Sequence, residues 1–295
     1  MADSILDLYT NAPLLELGLE ADRVRAASHP DGVVTYIVDR NINYTNVCVA
    51  DCGFCAFYRR PKHGEGYTLS FEQIGQKIEE TKAMGGVQIL IQGGHNPYIP
   101  FEWYLDLMRY IKRHHPIHIH GFSPSEVDFF SDVFRMDAVE VIRELRAAGL
   151  DSIPGGGGEI LVQRVRDVQS RTGGFTAFIC WPLQPENTPT MSHMPKLGAT
   201  DYLRTVAIAR IVLDNVPNLQ SSWVTMGMKV GQLALRFGCN DFGSLMIEEN
   251  VVSAAGTTHR TTTAELERLI VDAGFTPARR RQDYSIITEA AIAAA

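Results

Sequence analysis

The sequence predicts an α/β protein built as a parallel β/α barrel of the TIM type, in a single domain over residues 1–295. Strand-like and helix-like segments alternate about seven times along the chain, which is the order that parallel βαβ units produce. The segments after the predicted strands carry cysteines, paired glycines and polar side chains, and in such a barrel the chemistry sits at the carboxyl ends of the strands. A helical extension at about 1–30 and a helix with an extended end at about 260–295 flank the predicted barrel.

In the first half of the chain, local sequence signals predict each strand and helix. The stretch 34–47 is rich in β-forming residues and leads into the cysteines, and Ser70 with Gln73 forms a capping box that opens a helix ending near Gly85. VQILIQGG at 87–94 is a short apolar run typical of a buried strand. The remaining elements predicted here are a helix after Pro100, a strand at 117–124 and a helix capped by Asp137.

The second half continues the same alternation. DSIPGGGG at 151–158 predicts a strand that runs into a glycine loop, and a helix of about three turns follows it. Later elements are strands at 175–185, 221–227 and 240–244, a helix capped by Thr200, a helix over 229–238 and a final helix with an extended end from 261.

Composition and charge exclude several classes of protein. Hydrophobic residues make up 45% and charged residues 21% of the chain, which indicates a folded globular protein. The formal net charge of −7 argues against a nucleic-acid binder, and no apolar run reaches the roughly 20 residues that cross a bilayer. Five cysteines, three of them bunched, do not suit a secreted disulfide scaffold. We therefore expect a cytoplasmic protein with neither nucleic acid nor membrane as a partner.

The cysteine cluster is the strongest chemical signal. Cys48, Cys52 and Cys55 lie in the stretch NVCVADCGFCAFYR, with three and then two residues between them. A structural zinc site takes four protein ligands, and His63 is the candidate for the fourth. An iron–sulfur cluster of the 4Fe-4S type normally takes four cysteines. With three thiolates one iron keeps an open position for a substrate or cosubstrate, and this shortage favours the iron–sulfur interpretation.

This motif resembles that of the radical S-adenosylmethionine (SAM) superfamily, in which CxxxCxxC follows the first strand of a β/α barrel. Similarity over nearly the whole chain indicates the dehypoxanthine futalosine cyclases of the futalosine route to menaquinone, with the aminofutalosine synthases and the deazaflavin-core (FO) synthases as alternatives. The stretches that carry it are DRNINYTNVC (39–48), QILIQGGHNP (88–97), IHIHGFSPSEV (117–127), LDSIPGGGGEIL (150–161), WPLQPENTP (181–189) and GCNDFGSLMIEENVVSAAGTTHR (238–260).

The resemblance implies a radical SAM oxidoreductase and cyclase with a 4Fe-4S cluster and SAM as cofactors. In the superfamily, the reduced cluster cleaves SAM to a 5′-deoxyadenosyl radical. In the resembled reaction this radical removes the ribose C4′ hydrogen of dehypoxanthine futalosine, and the carbon radical closes onto the aryl ring. One electron and one proton must then leave. The resemblance therefore also implies a base and a reducing partner such as flavodoxin or ferredoxin.

Several positions match the SAM-binding parts of the family pattern. Phe54 matches the aromatic position against the adenine, and Gly93 and Gly94 stand where backbone meets the SAM amino group, although His95 replaces the usual acidic residue. The structural alternatives are a strand-to-loop turn for the glycines, a helix N-terminal acid for Glu126 and a solvated helix face for the arginines. The implied cofactor-binding residues are Phe54, Gln92, Gly93, Gly94, Ser123, Glu126, Glu159 and Arg164, with Arg166 as the alternative to Arg164.

The residues after the strand at 175–185 suit an aryl–ribose substrate, because aromatic, amide and acidic side chains follow one another there. Capping of the barrel is the structural alternative. The substrate-binding candidates are Trp181, Gln184, Glu186 and Asn187.

Three histidines are candidates for the base. Alternation in IHIHGF puts two of them on one face of a strand, which we expect to line the barrel interior. Packing in the core is the alternative for each. The candidates are His95, His118 and His120.

The sequence departs from the family pattern after Gly158. Only about twenty residues separate the glycine-rich fourth strand from Phe175, where the family has a further βα unit whose strand often backs the SAM adenine. We expect either a barrel shortened by about one βα unit after the fourth strand, with an open edge, or a longer molecule of which the sequence omits a segment. A catalytically degenerate iron–sulfur or zinc protein is a further alternative.

Overall fold

A computed structural model of the chain describes residues 2–155 and 162–288. Within them the chain forms strands that pair only in parallel with one another. The strands are β1 (Val33–Ile37), β2 (Asp39–Asn43), β3 (Gln88–Gln92), β4 (His118–Gly121), β5 (Ala177–Ile179), β6 (Asn218–Gln220), β7 (Asp241–Ser244) and β8 (Thr276–Arg279).

Helices cover the outer faces of these strands and begin where the sequence offers caps. Ser70 accepts a hydrogen bond from the backbone of Gln73, and Asp137 accepts one from Val139, so both predicted caps are confirmed. The predicted cap at Thr200 is wrong, because the N-cap of that helix is Gly198, two residues earlier, and Thr200 lies inside the first turn. The helices are α1 (Ala2–Asn11), α2 (Leu14–Ser28), α3 (Phe71–Ala83), α4 (Phe101–His114), α5 (Pro124–Phe134), α6 (Ala138–Ala148), α7 (Val162–Thr172), α8 (Ala199–Val212), α9 (Trp223–Met226), α10 (Met228–Ala234), α11 (Val251–Ala254) and α12 (Thr263–Asp272).

Two sheets form one curved wall. The larger has the order β5-β6-β7-β1-β8 and the smaller has the order β2-β3-β4. Only Val38 separates β1 from β2. The segment after β7 runs alongside the end of β1 and the start of β2 and forms hydrogen bonds with both. The N–H of Leu245 donates to the carbonyl of Ile37 at 2.8 Å, and that of Ile247 donates to Asp39 at 3.1 Å. The sheets are therefore joined along this path, as in a barrel.

The wall is interrupted after β4. Ser152 forms an isolated parallel bridge with His120, and α7 then leads directly to β5 at the outer edge of the larger sheet. Among the described residues no strand pairs with both Ser152 and β5. The predicted fold class, a TIM-like β/α barrel shortened by about one βα unit, is confirmed. The strand predicted at 151–158, the fourth of the sequence analysis, forms only the bridge at Ser152 within residues 151–155, and its remainder lies outside the described residues.

Some predicted strands were misplaced. The stretch 221–227 is wrong as a strand: β6 ends at Gln220, and α9 follows. Its residues have β-forming side chains, but Trp223 is buried and its indole Nε1 donates to the carbonyl of Ser244 at 3.0 Å. Tertiary packing thus overrides local preference here. The extended end after α12 is a strand, β8, that pairs with β1.

Alternation along the strands separates an apolar outer face from a polar interior. Ile42, Ile89, Ile91 and Ile119 are fully buried in one hydrophobic cluster with residues of α3–α6. Their neighbours in sequence point to the opposite face of the sheet. That inner face carries Asn41, Asn43, Gln88, Gln92, His118 and His120.

The C-terminal segment closes the barrel at the amino ends of its strands. Arg280 pairs with both carboxylate oxygens of Asp241, the first residue of β7, at 2.5 and 3.1 Å. The ring of Tyr284 stacks 3.9 Å from the guanidinium. Because the strands are parallel, the loops after their carboxyl ends form the opposite, open mouth. No helix in the parts that the structure describes is long and apolar enough to cross a membrane.

Candidate functional site

The three clustered cysteines lie on the loop after β2, at the mouth of the barrel. The N–H of Cys48 donates to the carbonyl of Arg59 at 2.9 Å, and the N–H of Arg59 donates to Asn46 at 2.7 Å, so the base of the loop is closed like a short ladder. The N–H of Cys55 donates to the carbonyl of Cys52 at 3.1 Å and forms a tight turn. The backbone thus holds all three thiols on one ordered loop.

The glycine pair after β3 packs directly against this loop. A Cβ on Gly94 would lie 2.2 Å from the carbonyl oxygen of Val47 and 2.9 Å from Cβ of Cys48. A Cβ on Gly93 would lie 2.4 Å from the ring of Tyr44. Neither position admits a side chain, because real Cβ atoms do not approach other heavy atoms so closely. Close packing of the two loops is therefore one physical reason for both glycines.

The environment of the thiols suits soft metal ligation. Burial raises the pKa of the Cys48 thiol, while backbone N–H groups of Ala50 and His95 point to its sulfur and oppose that rise. The charge of Cys55 also raises the pKa of the Cys48 thiol. Cys52 and Cys55 are half-buried. Three cysteines on one accessible loop, with N–H donors to sulfur, fit an iron–sulfur cluster with three protein ligands.

The alternative of a single zinc ion finds less support. The N–H of Glu65 donates to Nδ1 of His63 at 3.2 Å, so this nitrogen is already used. Within residues 2–155 and 162–288, no three His, Cys, Asp or Glu side chains converge as a mononuclear metal ion requires.

Glu126 is a buried carboxylate with four hydrogen-bond donors. One oxygen accepts from the hydroxyl of Tyr44 at 2.8 Å and from the N–H of Gly93 at 3.0 Å. The other accepts from the N–H of Ser123 at 2.7 Å and from its hydroxyl at 2.9 Å. Burial raises the pKa of Glu126, and these donors oppose the rise. Glu126 and Ser123 thus form the helix cap that was the structural alternative for Glu126. Glu126 also binds the N–H of Gly93, so the same carboxylate contacts the glycine pair.

The other cofactor candidates are placed unequally. Phe54 is 45% exposed beside Cys55, and Gln92 ends β3. Arg164 is exposed on α7. Arg166 forms a two-point ion pair with Asp214 at 2.9 and 3.1 Å and is therefore occupied. Glu159 lies outside the described residues.

The three candidate bases are at different depths. His95 follows the glycine pair, and its carbonyl accepts the N–H of Val49 at 3.1 Å. Its ring stacks on Phe129 at 4.8 Å, and burial lowers its pKa. His120 pairs in register with Leu90, and His118 with Gln88, so they lie progressively further below the mouth.

His118 and His120 share one hydroxyl. Nε2 of His118 and Nδ1 of His120 lie 2.8 and 2.7 Å from Oγ of Ser152. Burial lowers the pKa of both imidazoles, to about 4 for His120. The C-terminal segment contributes Gln282, whose Nε2 lies 3.4 Å from Nε2 of His120.

The segment after β5 carries the substrate candidates. Trp181 is 52% exposed, and Gln184 is buried and accepts from the hydroxyl of Thr257 at 3.0 Å. Asn187 donates to the carbonyl of Ala254 at 3.2 Å, and Glu186 lies 3.5 Å from Lys196. An open cleft of about 460 Å³ lies between this segment and the cysteine loop, with Cys55, Arg60 and His63 on one side and Asn187 on the other.

Sequence reasoning missed two residues of the site. Tyr44 stands in the stretch DRNINYTNVC, and alternation from Ile42 predicts its burial but not its bond to Glu126. Thr190 donates to the carbonyl of Gly53 between the cysteines, and no signal in its neighbourhood indicated this.

Family models match both halves of the chain. Residues 42–169 match the radical SAM superfamily, and residues 172–292 match the CofH/MqnC C-terminal region. The chain is 46% identical to the cyclic dehypoxanthine futalosine synthase of Halalkalibacterium halodurans, over 97% of the chain and 91% of that protein. It is 39% identical to the protein of the same name from Streptomyces coelicolor, over 96% and 84%. It is 34% identical to a 5-amino-6-(D-ribitylamino)uracil–L-tyrosine 4-hydroxyphenyl transferase of Methanopyrus kandleri, over 95% and 93%.

Relatives contain residues that this chain lacks. The alignment with the Halalkalibacterium protein has 338 positions, 43 more than the 295 residues of the chain, so at least that many residues of the relative have no counterpart here. This difference agrees with a missing βα unit.

Solved structures share the fold. Methylornithine synthase superposes with a TM-score of 0.65 at 16% identity, covering 95% of this chain and 94% of that one. The FeFe-hydrogenase maturase HydG superposes with a TM-score of 0.64 at 14% identity, covering 92% and 70%.

Proposed function

The chain belongs to the radical SAM family of the cyclic dehypoxanthine futalosine synthases, and from this premise we propose that it converts dehypoxanthine futalosine to its cyclic product in menaquinone biosynthesis. It is an enzyme, and its family uses a 4Fe-4S cluster and SAM. The observation that carries the proposal is the loop of Cys48, Cys52 and Cys55 at the barrel mouth, packed without a gap against Gly94.

Cys48, Cys52 and Cys55 would hold the cluster. When bound, the reduced cluster and SAM supply a 5′-deoxyadenosyl radical that removes a hydrogen atom from the substrate. The exposed ring of Phe54 is available to lie against a flat adenine. Glu126 receives the N–H of Gly93, so it fixes the glycine backbone that would meet the SAM amino group.

Cyclisation leaves a proton to be removed, and His95 is our first candidate for the base. Its backbone is bonded to the cysteine loop, and its lowered pKa keeps the imidazole neutral near pH 7 and able to accept a proton. His120 and His118 remain candidates further inside the barrel. The pKa of His120 is lowered to about 4, so its imidazole is a weaker base than an ordinary histidine.

The substrate would lie between the polar interior and the segment after β5. Trp181 offers an exposed aromatic face for the aryl group. Gln184, Glu186 and Asn187 offer polar groups for the ribose, although Gln184 and Asn187 already bond to the segment after β7. Arg164 is exposed, whereas Arg166 is bound to Asp214. Arg164 is therefore the better candidate to bind a carboxylate.

The cluster needs an external one-electron donor, for which a flavodoxin or ferredoxin is suitable. Half-buried Cys52 and Cys55 support access from solvent. A cytoplasmic location is part of this proposal, because three cysteines bunched on one loop suit a reducing compartment.

Anaerobic turnover with SAM, a reductant and each candidate substrate tests the function. We expect 5′-deoxyadenosine and a cyclic product by mass spectrometry from dehypoxanthine futalosine. Product from 5-amino-6-(D-ribitylamino)uracil with tyrosine, or from the aminofutalosine precursor, would instead assign the neighbouring activities. Loss of SAM cleavage in the protein with a full iron content would mean that the interrupted barrel cannot bind SAM productively.

A further inference from the structure

The segment after β5 holds the cysteine loop from across the barrel mouth. The N–H of Thr190 donates to the carbonyl of Gly53 at 3.1 Å, and its hydroxyl donates to the same oxygen at 3.3 Å. Gly53 lies inside the tight turn between Cys52 and Cys55. Both bonds therefore act on the backbone that sets the positions of two thiols.

This contact connects parts of the wall that the strands do not connect directly. The cysteine loop follows β2 in the smaller sheet, whereas Thr190 follows β5 at the outer edge of the larger sheet. That edge is where the described barrel wall is interrupted. The bond between Thr190 and Gly53 thus spans the mouth beside the interruption.

The fit at the contact is close. A Cβ on Gly53 would lie 2.1 Å from Oγ1 of Thr190 and 3.4 Å from its Cβ. Only the hydroxyl therefore excludes a side chain at position 53. The two segments separate beyond this point and enclose the open cleft of about 460 Å³, where Cys55 faces Asn187 and Pro189.

The segment that carries Thr190 is itself restrained. The hydroxyl of buried Thr188 donates to the carbonyl of Pro185 at 2.7 Å, which makes a compact turn. Gln184 and Asn187 bond to Thr257 and Ala254, as described above. A ligand that displaces Gln184 or Asn187 would therefore also displace Thr190 and the carbonyl of Gly53.

We propose that Thr190 is a positioning residue that couples the substrate segment 184–190 to the cysteine loop. It sets the turn between Cys52 and Cys55 and transmits substrate binding to the cluster. The coupling deepens the proposed function and rests on it for the substrate used, whereas the role in cluster assembly does not depend on which substrate the enzyme takes.

Cluster assembly is tested with Gly53→Ala, Thr190→Ala and the double variant. After anaerobic reconstitution, iron and sulfide per chain are measured together with the circular dichroism of each protein. Gly53→Ala should reduce the iron content at least about fivefold, because its Cβ meets the Thr190 hydroxyl. Thr190→Ala keeps the N–H bond to Gly53 and should lose less than half of the iron, and the double variant should regain that content, because the obstructing hydroxyl is gone. Full iron in Gly53→Ala, or no recovery in the double variant, would overturn the proposed contact.

Coupling is tested with Thr190→Val, which keeps the shape but removes the hydroxyl, and with Thr190→Ser, which keeps the hydroxyl. The electron paramagnetic resonance spectrum of the reduced protein with SAM is recorded before and after adding dehypoxanthine futalosine. The spectrum of the unaltered protein should change on addition, and that of Thr190→Val should change less, with roughly threefold more 5′-deoxyadenosine per product. Thr190→Ser should restore the response.

Ser192→Ala removes a hydroxyl from an exposed position of the same loop and should behave like the unaltered protein. Equal spectral responses in Thr190→Val and the unaltered protein would overturn the coupling. If the unaltered protein makes no cyclic product, the proposed function fails, yet the iron contents of the Gly53 variants still decide whether Thr190 positions the cysteine loop.

Discussion

The hydroxyl of Tyr44 donates to the buried carboxylate of Glu126 across 2.8 Å, although 82 residues separate them in the sequence. Because Gly93 and Ser123 donate to the same carboxylate, one side chain joins the strand before the cysteines, the glycine pair and the start of α5. Glu126 therefore holds three segments of the barrel mouth together through one buried carboxylate.

Replacing Glu126 with Gln should lower the free energy of unfolding by about 2 to 3 kcal/mol. An amide nitrogen would face donors now bound by a carboxylate oxygen, and at least one buried donor would lose its acceptor. Urea unfolding measures the change. Glu72→Gln, on the exposed first turn of α3, is the matched control and should stay within about 0.5 kcal/mol. An equal effect in both variants would contradict the role assigned to Glu126.

Gly94→Ala should prevent assembly of the cluster while leaving most of the fold intact. The added Cβ would meet the carbonyl of Val47 at 2.2 Å, and backbone on both sides restricts relief. Iron content after reconstitution is expected to fall to a small fraction of normal. Gly64→Ala is the control, because a Cβ there meets nothing within 4 Å. Retention of iron by Gly94→Ala would show that the loop adapts.

Each of Cys48, Cys52 and Cys55 should be necessary for iron binding. Changing any one to Ala removes a thiolate and should abolish the visible absorbance and cleavage of SAM. Cys180→Ala should retain both, because burial raises the pKa of that thiol to about 12 and keeps it protonated. Metal analysis that found zinc in place of iron would refute the assignment.

His120 should make the protein less stable in acid. Burial, followed by the charges of His118 and Arg280, lowers its pKa from 6.5 to about 4, and Ser152 and Gln282 are its neighbours. Below pH 6.5 the unfolded state therefore takes up a proton that the folded state does not. The free energy of unfolding should fall by up to about 3 kcal/mol between pH 6.5 and 4, at about 1.4 kcal/mol for each pH unit.

The measurement is urea unfolding at several pH values for the unaltered protein and His120→Gln. Other groups contribute to the acid dependence of both proteins, so the difference between the two curves isolates His120. The free energy of unfolding should fall less steeply with decreasing pH in His120→Gln than in the unaltered protein. The substitution His193→Gln, at an exposed position, should leave this pH dependence unchanged. Parallel curves for all three proteins would exclude the effect.

Breaking the ion pair between Arg280 and Asp241 should be strongly destabilising. Both side chains are buried, and Arg280→Met would leave the carboxylate without its cation. We expect a loss of about 3 to 5 kcal/mol in the free energy of unfolding. Arg268→Met breaks an exposed pair with Asp272 on α12 and should cost less than about 1 kcal/mol. Thermal unfolding of the two variants compares the contributions of the two ion pairs to stability. Similar losses of stability in both variants would show that the C-terminal segment does not close the barrel.

Much of the fold was predictable because its signals are local. Ser70, Asp137 and the apolar run at 87–94 specify element boundaries from neighbours a few residues away, and the structure has those elements. The strand expected at 221–227 was not predictable in this way. Trp223 is buried against Ser244, and this contact between distant residues decides the helical turn.

The cofactor-binding motifs of the site were also recognisable from residues close together in the sequence. Three cysteines with this spacing, followed by a paired glycine after the next strand, carry the resemblance to the radical SAM superfamily, and that resemblance implied the 4Fe-4S cluster and SAM without knowledge of any contact. The interruption after Gly158 was visible as a departure from the family pattern, because too few residues are left for a further strand and its helix.

The sequence by itself therefore determined the type of barrel and the loop that would bind the cluster. Tertiary structure decided which residues hold that loop in place: Glu126 as a shared acceptor, Gly94 as a packing position and Thr190 as the partner of Gly53. Spacing reports which residues share a strand or a turn. It does not report hydrogen bonds between residues such as Gly53 and Thr190, 137 positions apart, because those exist only after the strands have brought their ends together.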